Sequence, residues 1–391
     1  MREAVIVEAV RTPIARGKPI VGDLNGFHAA ELLALSYREL IKRTGIEYAD
    51  VEYLAGGCVT QAGEQSSNVT RTAWLSMGED YTVGGTTLDT QCGSAQAANH
   101  MISSMIRTNS FDIGIAAGVE SMSRVHMGAN VMNGPGFYQP ENWPWDSVPD
   151  QFASAERLAE KRGITREMAD EFACESQRRA KVAWEEGRFE REVFAVEAPV
   201  IGEDGKATGD VKTATRDQGL RDTTLEGLSL LKPIREGGIH TPGNSSQVSD
   251  GSAAVLWMSA DEAEKRGLKP RARIVTDCIV GTDPFYLLDG PVDATKRLFK
   301  RSGMTKNDID LFEVNEAFAA VVLSWAQVHD IDMDKVNVNG GAIAIGHPVG
   351  STGARLITTA LHELERSDKS TALISMCCGS AIGTGTIIER L

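Results

Sequence analysis

The chain opens on a short apolar, β-branched run, "AVIVEAV" at residues 4–10, and this pattern predicts a strand. "AAELLALSYRELIKRTG" then carries apolar residues at helical spacing with Gly45 as its stop, "VEYLAGGCV" reads as a strand with a glycine turn, and "DIGIAAG" as another buried strand. Residues 269–391 repeat the style. There "ARIVTDCIV" is followed by a helix over "DATKRLFKRSG", a strand "IDLFEV", a helix "FAAVVLSWAQVH", a glycine-rich turn, a helix "GARLITTALHELERS", and the strands "TALISMCC" and "GTGTIIERL". Strands alternating with helices predict an α/β fold with a largely parallel sheet covered on both faces, laid out as two similar βαβ-type halves.

The stretch between the halves has a different texture. "NGPGFYQPENWPWDSVP" (133–149) is loop-like, and a charged amphipathic helix is predicted from Arg166 to a stop at Gly187. Met168, Phe172, Ser176, Ala180 and Trp184 recur there every four residues, which predicts a stripe facing a neighbour. The expected organisation is an N-terminal half over 1–120, completed by about 245–268, an inserted loop domain over 121–244, and a C-terminal half over 269–391. Insertions of this size usually carry function.

Composition narrows the classes. With 391 residues, 42% hydrophobic and 24% charged, the chain is long enough for ample burial, and its formal net charge of -14 argues against nucleic acid or an anionic membrane as the main partner. No stretch reaches the roughly 20 apolar residues of a membrane span. Glu8 and Arg11 break the apolar start where an export signal would continue, and "IIERL" is no peroxisomal address, so a cytoplasmic location is expected. The six cysteines (58, 92, 174, 278, 377 and 378) are then expected to be reduced. No CxxC pair occurs, so no metal is expected, and a bond between the adjacent Cys377 and Cys378 would strain the peptide joining them.

Three stretches could carry chemistry. In "LDTQCGSAQAANHMISSMI", Cys92 stands at a strand-to-helix turn, where the helix dipole favours thiolate and nucleophilicity; the plainer alternative is a buried small hydrophobe. In "NVNGGAIAIGHPVGSTGARLI", glycines around His347 allow close approach of a substrate, although a satisfied structural histidine would read the same. In "FEVNEAFAAVVL", Asn315 and Glu316 end a buried strand, where α/β sheets gather ligand groups and where Asn also serves as a helix cap.

Taken in order, "CGSAQAA", "GVESMSR" at 118–124, "NEAFAA" at 315–320, "NVNGGAIAIGHPVGSTGAR" at 337–355 and the C-terminal Cys-x-Gly resemble the thiolase family of acyl-CoA C-acyltransferases nearly end to end. "GNSSQVSDG", "ITTALHELERSD" and "GTGTIIERL" are most similar to degradative enzymes of the actinobacterial steroid-thiolase kind. The resemblance implies a thiolase-like fold with helices covering mixed sheets and a loop domain that binds acyl-CoA and makes oligomer contacts. It implies ping-pong cleavage of a 3-ketoacyl-CoA, with Cys92 as nucleophile, His347 accepting its proton, Asn315 positioning a water at the thioester oxygen, and Cys377 protonating the departing carbanion. By motif position the backbone amides of Cys92 and Gly379 would form the oxyanion hole. Arg221 would meet the nucleotide end of coenzyme A and Ser246 its pantetheine.

No cofactor is implied, since coenzyme A is a substrate, and the partners expected are acyl-CoA, coenzyme A and further copies of the chain as a homodimer or homotetramer. On a strand Cys377 and Cys378 point to opposite faces, which leaves Cys378 packed as a small hydrophobe. Two departures from the family pattern stand out: Gly227 where many relatives carry serine, and Ser380-Ala381 where glycines usually follow. A ketoacyl synthase would not need Cys377. The remaining rivals are a biosynthetic acetoacetyl-CoA thiolase and a non-catalytic acyl-CoA or sterol-binding protein.

Overall fold

In the computed structural model, residues 2–132, 135–147 and 150–391 are described. The N-terminal half runs β1 (Ala4–Arg11), β2 (Ala15–Arg16), α1 (Ala29–Thr44), β3 (Tyr53–Gly57), α2 (Val69–Ser76), β4 (Gly84–Leu88), α3 (Ser94–Arg107) and β5 (Ile113–Ser121). Helix α1 forms where the apolar spacing predicts. His28 caps its start by accepting from Ala30 N–H, and Gly45 ends it in the left-handed conformation that glycine adopts freely. The inserted segment contributes α4 (Ala129–Met132), α5 (Gln151–Arg162), α6 (Arg166–Glu185), the hairpin β6 (Val196–Ile201) and β7 (Ala207–Ala214), and α7 (Leu225–Ser229). β8 (Ser249–Ser259) and α8 (Ala260–Lys265) follow. The C-terminal half runs β9 (Ala272–Gly281), α9 (Gly290–Ser302), β10 (Leu311–Val314), α10 (Ala319–His329), α11 (Ala342–Ile345), α12 (Thr352–Arg366), β11 (Thr371–Cys378) and β12 (Ile382–Arg390).

The strands join in the order β10-β11-β12-β9-β1-β8-β5-β3-β4, with β2 beside β8. The two halves follow one plan. In the first, β1 is antiparallel to β8, β8 antiparallel to β5, and β5 parallel to β3; in the second, β9 is antiparallel to β12, β12 antiparallel to β11, and β11 parallel to β10. A short antiparallel contact of Val5 and Ile6 with Arg273 and Ala272 joins the halves.

The largely parallel sheet is therefore corrected to a mixed one. Crossover helices make only β3, β4, β5 and the β10–β11 pair parallel, whereas β12 turns straight back from β11, and β8 returns antiparallel after the long insertion. α12 is buried along nearly its whole length, from Thr352 to Leu364, and packs against strands of both halves. Its buried polar residues find partners: Arg355 lies beside Glu313, Thr359 donates to Glu192, and Glu363 accepts from Asn339.

The stripe predicted on α6 is also corrected. Met168 is exposed, and the buried face runs through Ala169, Ala173, Ser176, Ala180 and Ala183. A strict four-residue repeat drifts around a helix of 3.6 residues per turn, so Met168 leaves the contact, whereas Trp184 at the other end still packs against Phe189. Within 133–149, residues 133, 134, 148 and 149 lie outside the described residues, and Phe137, Tyr138, Trp143 and Trp145 are exposed.

Candidate active site

Three turns meet at one place between the halves. The first follows β4, where Gln91 takes a positive φ of 53° and presents Cys92 just ahead of Gly93, the N-cap of α3. The second is the hairpin turn after β11, which carries Gly379. The third runs from His347 into α12. Close approach holds them together: a Cβ on Gly57 or Gly118 would lie 2.4 or 2.3 Å from the Gly350 carbonyl oxygen, and one on Gly353 would lie 2.2 Å from the Gln96 nitrogen in the first turn of α3. A Cβ on Gly379 would meet Gln91 Oε1 at 2.6 Å.

The backbone amides of Gly379 and of Cys92 itself lie close enough to Cys92 Sγ to favour its anion. These are the amides that the motif resemblance assigns to an oxyanion hole. The thiolate-favouring expectation is corrected, however. Burial pushes the Cys92 thiol up to about 12, and the two amide donors offset only part of that shift. The free site therefore holds a neutral thiol.

His347 has a determined tautomer. Thr352 Oγ1 donates to the Pro348 carbonyl at 2.8 Å, which leaves it an acceptor for His347 Nδ1–H at 2.6 Å. Nε2 then carries the lone pair, and Asn315 Nδ2 donates to it at 3.2 Å. The opposite amide orientation would set two acceptors against each other. Burial, and after it the charge of Arg355, holds His347 down at about 3, so the ring is neutral at ordinary pH. Asn315 is not the helix cap, because Phe318 occupies that position of α10 and the Asn315 side chain turns to His347. Its Oδ1 is buried without a partner.

Glu316 serves the loop instead. It accepts from Ser176 Oγ at 2.6 Å, Asn337 Nδ2 at 2.9 Å and the Ile343 amide at 3.1 Å, which braces the glycine-rich segment leading to His347. Two positioning residues escaped the sequence reading, although both lie inside quoted motifs. Thr352 is one. Glu120 is the other: its fully buried carboxylate accepts from the amides of Val59, Thr60 and Gly350 and from Gln65 Nε2, tying the end of β5 to the His347 turn.

The two C-terminal cysteines separate as strand geometry requires. Ile374, Met376 and Cys378 pack in the core cluster that contains Cys92 and α3, whereas Cys377 packs with Leu287, Leu288, Phe318 and Ala381. Both thiols are fully buried and pushed well up by burial, and a charge on Cys92 would push each further. Arg221 lines a separate cavity of about 240 Å³ with Gln177, Thr224, Gly227 and Leu228. Ser246 does not line it; its amide donates to the Ala317 carbonyl at 2.9 Å, beside the Asn315 segment. Gly227 contributes backbone to that cavity, where its amide donates to the Thr224 hydroxyl.

Models of the thiolase N-terminal and C-terminal domains match residues 4–261 and 268–390. The chain belongs to the thiolase family. As a thiolase it is an acyltransferase enzyme. It is 39% identical to the steroid 3-ketoacyl-CoA thiolase FadA6 of Mycobacterium tuberculosis, over 100% of this chain and 95% of that protein. It is also 39% identical to the 3-ketoacyl-CoA thiolase of Idiomarina loihiensis, over the whole of both. The crystal structure of the Bacillus anthracis acetyl-CoA acetyltransferase superposes with a TM-score of 0.89 at 33% identity, covering 100% of this thiolase and 99% of that chain. Among the described residues, no helix is long and apolar enough to cross a membrane.

Two outcomes follow from the site's electrostatics. Iodoacetamide should inactivate the free thiolase faster at each step from pH 7 to pH 10, because the Cys92 thiol titrates only near 12; a rate that levels off below pH 8 would reveal a preformed thiolate. Thr352→Val, which keeps shape and removes the acceptor of Nδ1–H, should lower kcat roughly 10-fold or more while Thr352→Ser restores it. Equal turnover of the valine variant would refute the assigned tautomer.

Proposed function

We propose that this protein is a degradative 3-ketoacyl-CoA thiolase, acting in fatty-acid or steroid side-chain β-oxidation. Cys92 attacks the 3-keto carbon as its proton passes to His347. The Cα–Cβ bond breaks with its electron pair going to Cα, and Cys377 delivers a proton there to release acetyl-CoA. The shortened acyl group stays on Cys92 as a thioester until a second coenzyme A, deprotonated by Cys377, takes it away. Asn315 positions a water that, with His347, stabilises the oxygen developing on one side of the reaction, and the amides of Cys92 and Gly379 stabilise the other.

One observation carries this reading: the Gly379 amide, from the other half of the fold, comes close enough to Cys92 Sγ to favour its anion, and the buried thiols of Cys377 and Cys378 both lie close enough to feel its charge. Preorganised amides of this kind are each worth about 3 to 4 kcal/mol of barrier. The names of the Mycobacterium and Idiomarina relatives support cleavage of 3-ketoacyl-CoA. The Bacillus neighbour, titled an acetyl-CoA acetyltransferase, favours a second reading in which the same site condenses acetyl units. A non-catalytic binding protein is disfavoured by the intact set of Cys92, Asn315, His347 and Cys377.

Coenzyme A would lie along the inserted domain, with Arg221 at its nucleotide end and Ser246 at its pantetheine, and the open cavity beside Arg221 is compatible with that path. Six free cysteines support a reducing, cytoplasmic setting. Exposed Met132, Phe137, Tyr138 and Trp145 on the insertion support a homodimer or homotetramer.

The test is thiolysis of short-chain, long-chain and steroid side-chain 3-ketoacyl-CoA esters with coenzyme A. At least one class should be cleaved, Cys377→Ser should lower that rate at least about 100-fold, and Cys378→Ser should leave it nearly unchanged. Cleavage of none would overturn the enzyme reading, and the reverse pattern for the two cysteines would overturn the register.

A further inference from the structure

Two apolar residues beside Cys377 hold a backbone conformation that only glycine takes without cost. Leu287 has φ of 50° and Ala381 has φ of 53°, both in the left-handed region. For a residue with a side chain this costs about 1 to 2 kcal/mol. They come from different segments, the loop after β9 and the turn after β11, yet both pack in the cluster that contains Cys377, Leu288 and Phe318. The Thr282 amide donates to the Ala381 carbonyl at 2.9 Å, which joins the two segments, and the Leu287 amide donates to the Asp283 carbonyl at 2.8 Å within its own loop. Leu287 and Ala381 keep 8% and 9% exposure, where Cys377 has none. Leu287 and Ala381 thus lie toward the outside of the cluster and Cys377 within it. Strain retained in two side chains at one site points to a use for the side chains themselves.

Cys377 is the thiol read above as the acid at Cα, and the inference rests on that reading. Proton delivery brings the substrate's Cα within contact of Cys377 Sγ, so whatever packs around that sulfur also surrounds the substituents on Cα. We propose that Leu287 and Ala381 are specificity-determining residues, forming an apolar wall that admits 3-ketoacyl-CoA esters unsubstituted at Cα and excludes their 2-methyl homologues. The fragment released is then acetyl-CoA and not propionyl-CoA. The reaction that supplies the substrate must accordingly leave a 3-keto group beside an unbranched methylene.

The test compares kcat/KM for one 3-ketoacyl-CoA and its 2-methyl homologue in the wild type, Ala381→Gly and Leu287→Ala, with melting temperatures recorded for each. A missing methyl's worth of space typically shifts selectivity by about 10-fold or more. The wild type should prefer the unsubstituted ester by at least about that factor, and either variant should cut the preference about 10-fold. Ala381→Gly should melt no lower than the wild type, because glycine takes this φ freely. Wild-type cleavage of both esters at equal rates, or a preference unchanged in both folded variants, would overturn the wall. If the wild type cleaves neither ester nor any other 3-ketoacyl-CoA, the thiolase reading itself falls and takes this inference with it.

Discussion

A charged thiolate at this centre is disfavoured by burial and by the nearby carboxylates of Glu120 and Asp89. Cys92 is buried, its thiol is pushed up to about 12, and the groups that favour its anion are two backbone amides. His347 is equally unwilling to charge alone, since burial and Arg355 hold it down at about 3. Charging either group by itself is costly, whereas the proton transfer from sulfur to Nε2 in the proposed reaction would create both charges together. The chemistry is therefore confined to the moment when a carbonyl carbon is present to take the sulfur's electrons.

That constraint explains the surrounding architecture. A histidine that is to receive a proton at one nitrogen, as the proposed reaction asks of His347, needs its other nitrogen already protonated and held, and Thr352 holds it from the first turn of α12. The turn that carries His347 must not move, and Glu120 fastens it to β5 through the Gly350 amide while Glu316 braces the segment before it. Glycines at 57, 118 and 353 let these turns approach backbone to backbone, at separations that no side chain would allow. Cys92 comes from the turn after β4 in the first half and Gly379 from the turn after β11 in the second, so the two halves contribute to one site.

Much of this was legible in the residues. Strands and helices with clear period appear where the pattern puts them, including α1 up to Gly45 and the strand through Cys377 and Cys378 whose alternation separates the two thiols. Sheet direction was less legible, because a strand's pairing depends on partners far along the chain: β8 joins β1 and β5 only after the whole insertion has passed. Protonation was misread for Cys92. A helix N-terminus is visible in sequence, whereas the burial that outweighs it is a property of the assembled core. Thr352 and Glu120 were invisible for the same reason, since a hydroxyl and a carboxylate acquire their roles from what folds against them.

The most direct test is to mix the enzyme with a 3-ketoacyl-CoA in the absence of free coenzyme A and measure the intact protein by mass spectrometry, followed by peptide mapping. The account predicts one shortened acyl group per chain, attached as a thioester to Cys92, formed rapidly in the wild type and far more slowly in His347→Asn. An acyl group mapped to Cys377 or Cys378, or a His347→Asn variant acylated at the wild-type rate, would contradict it.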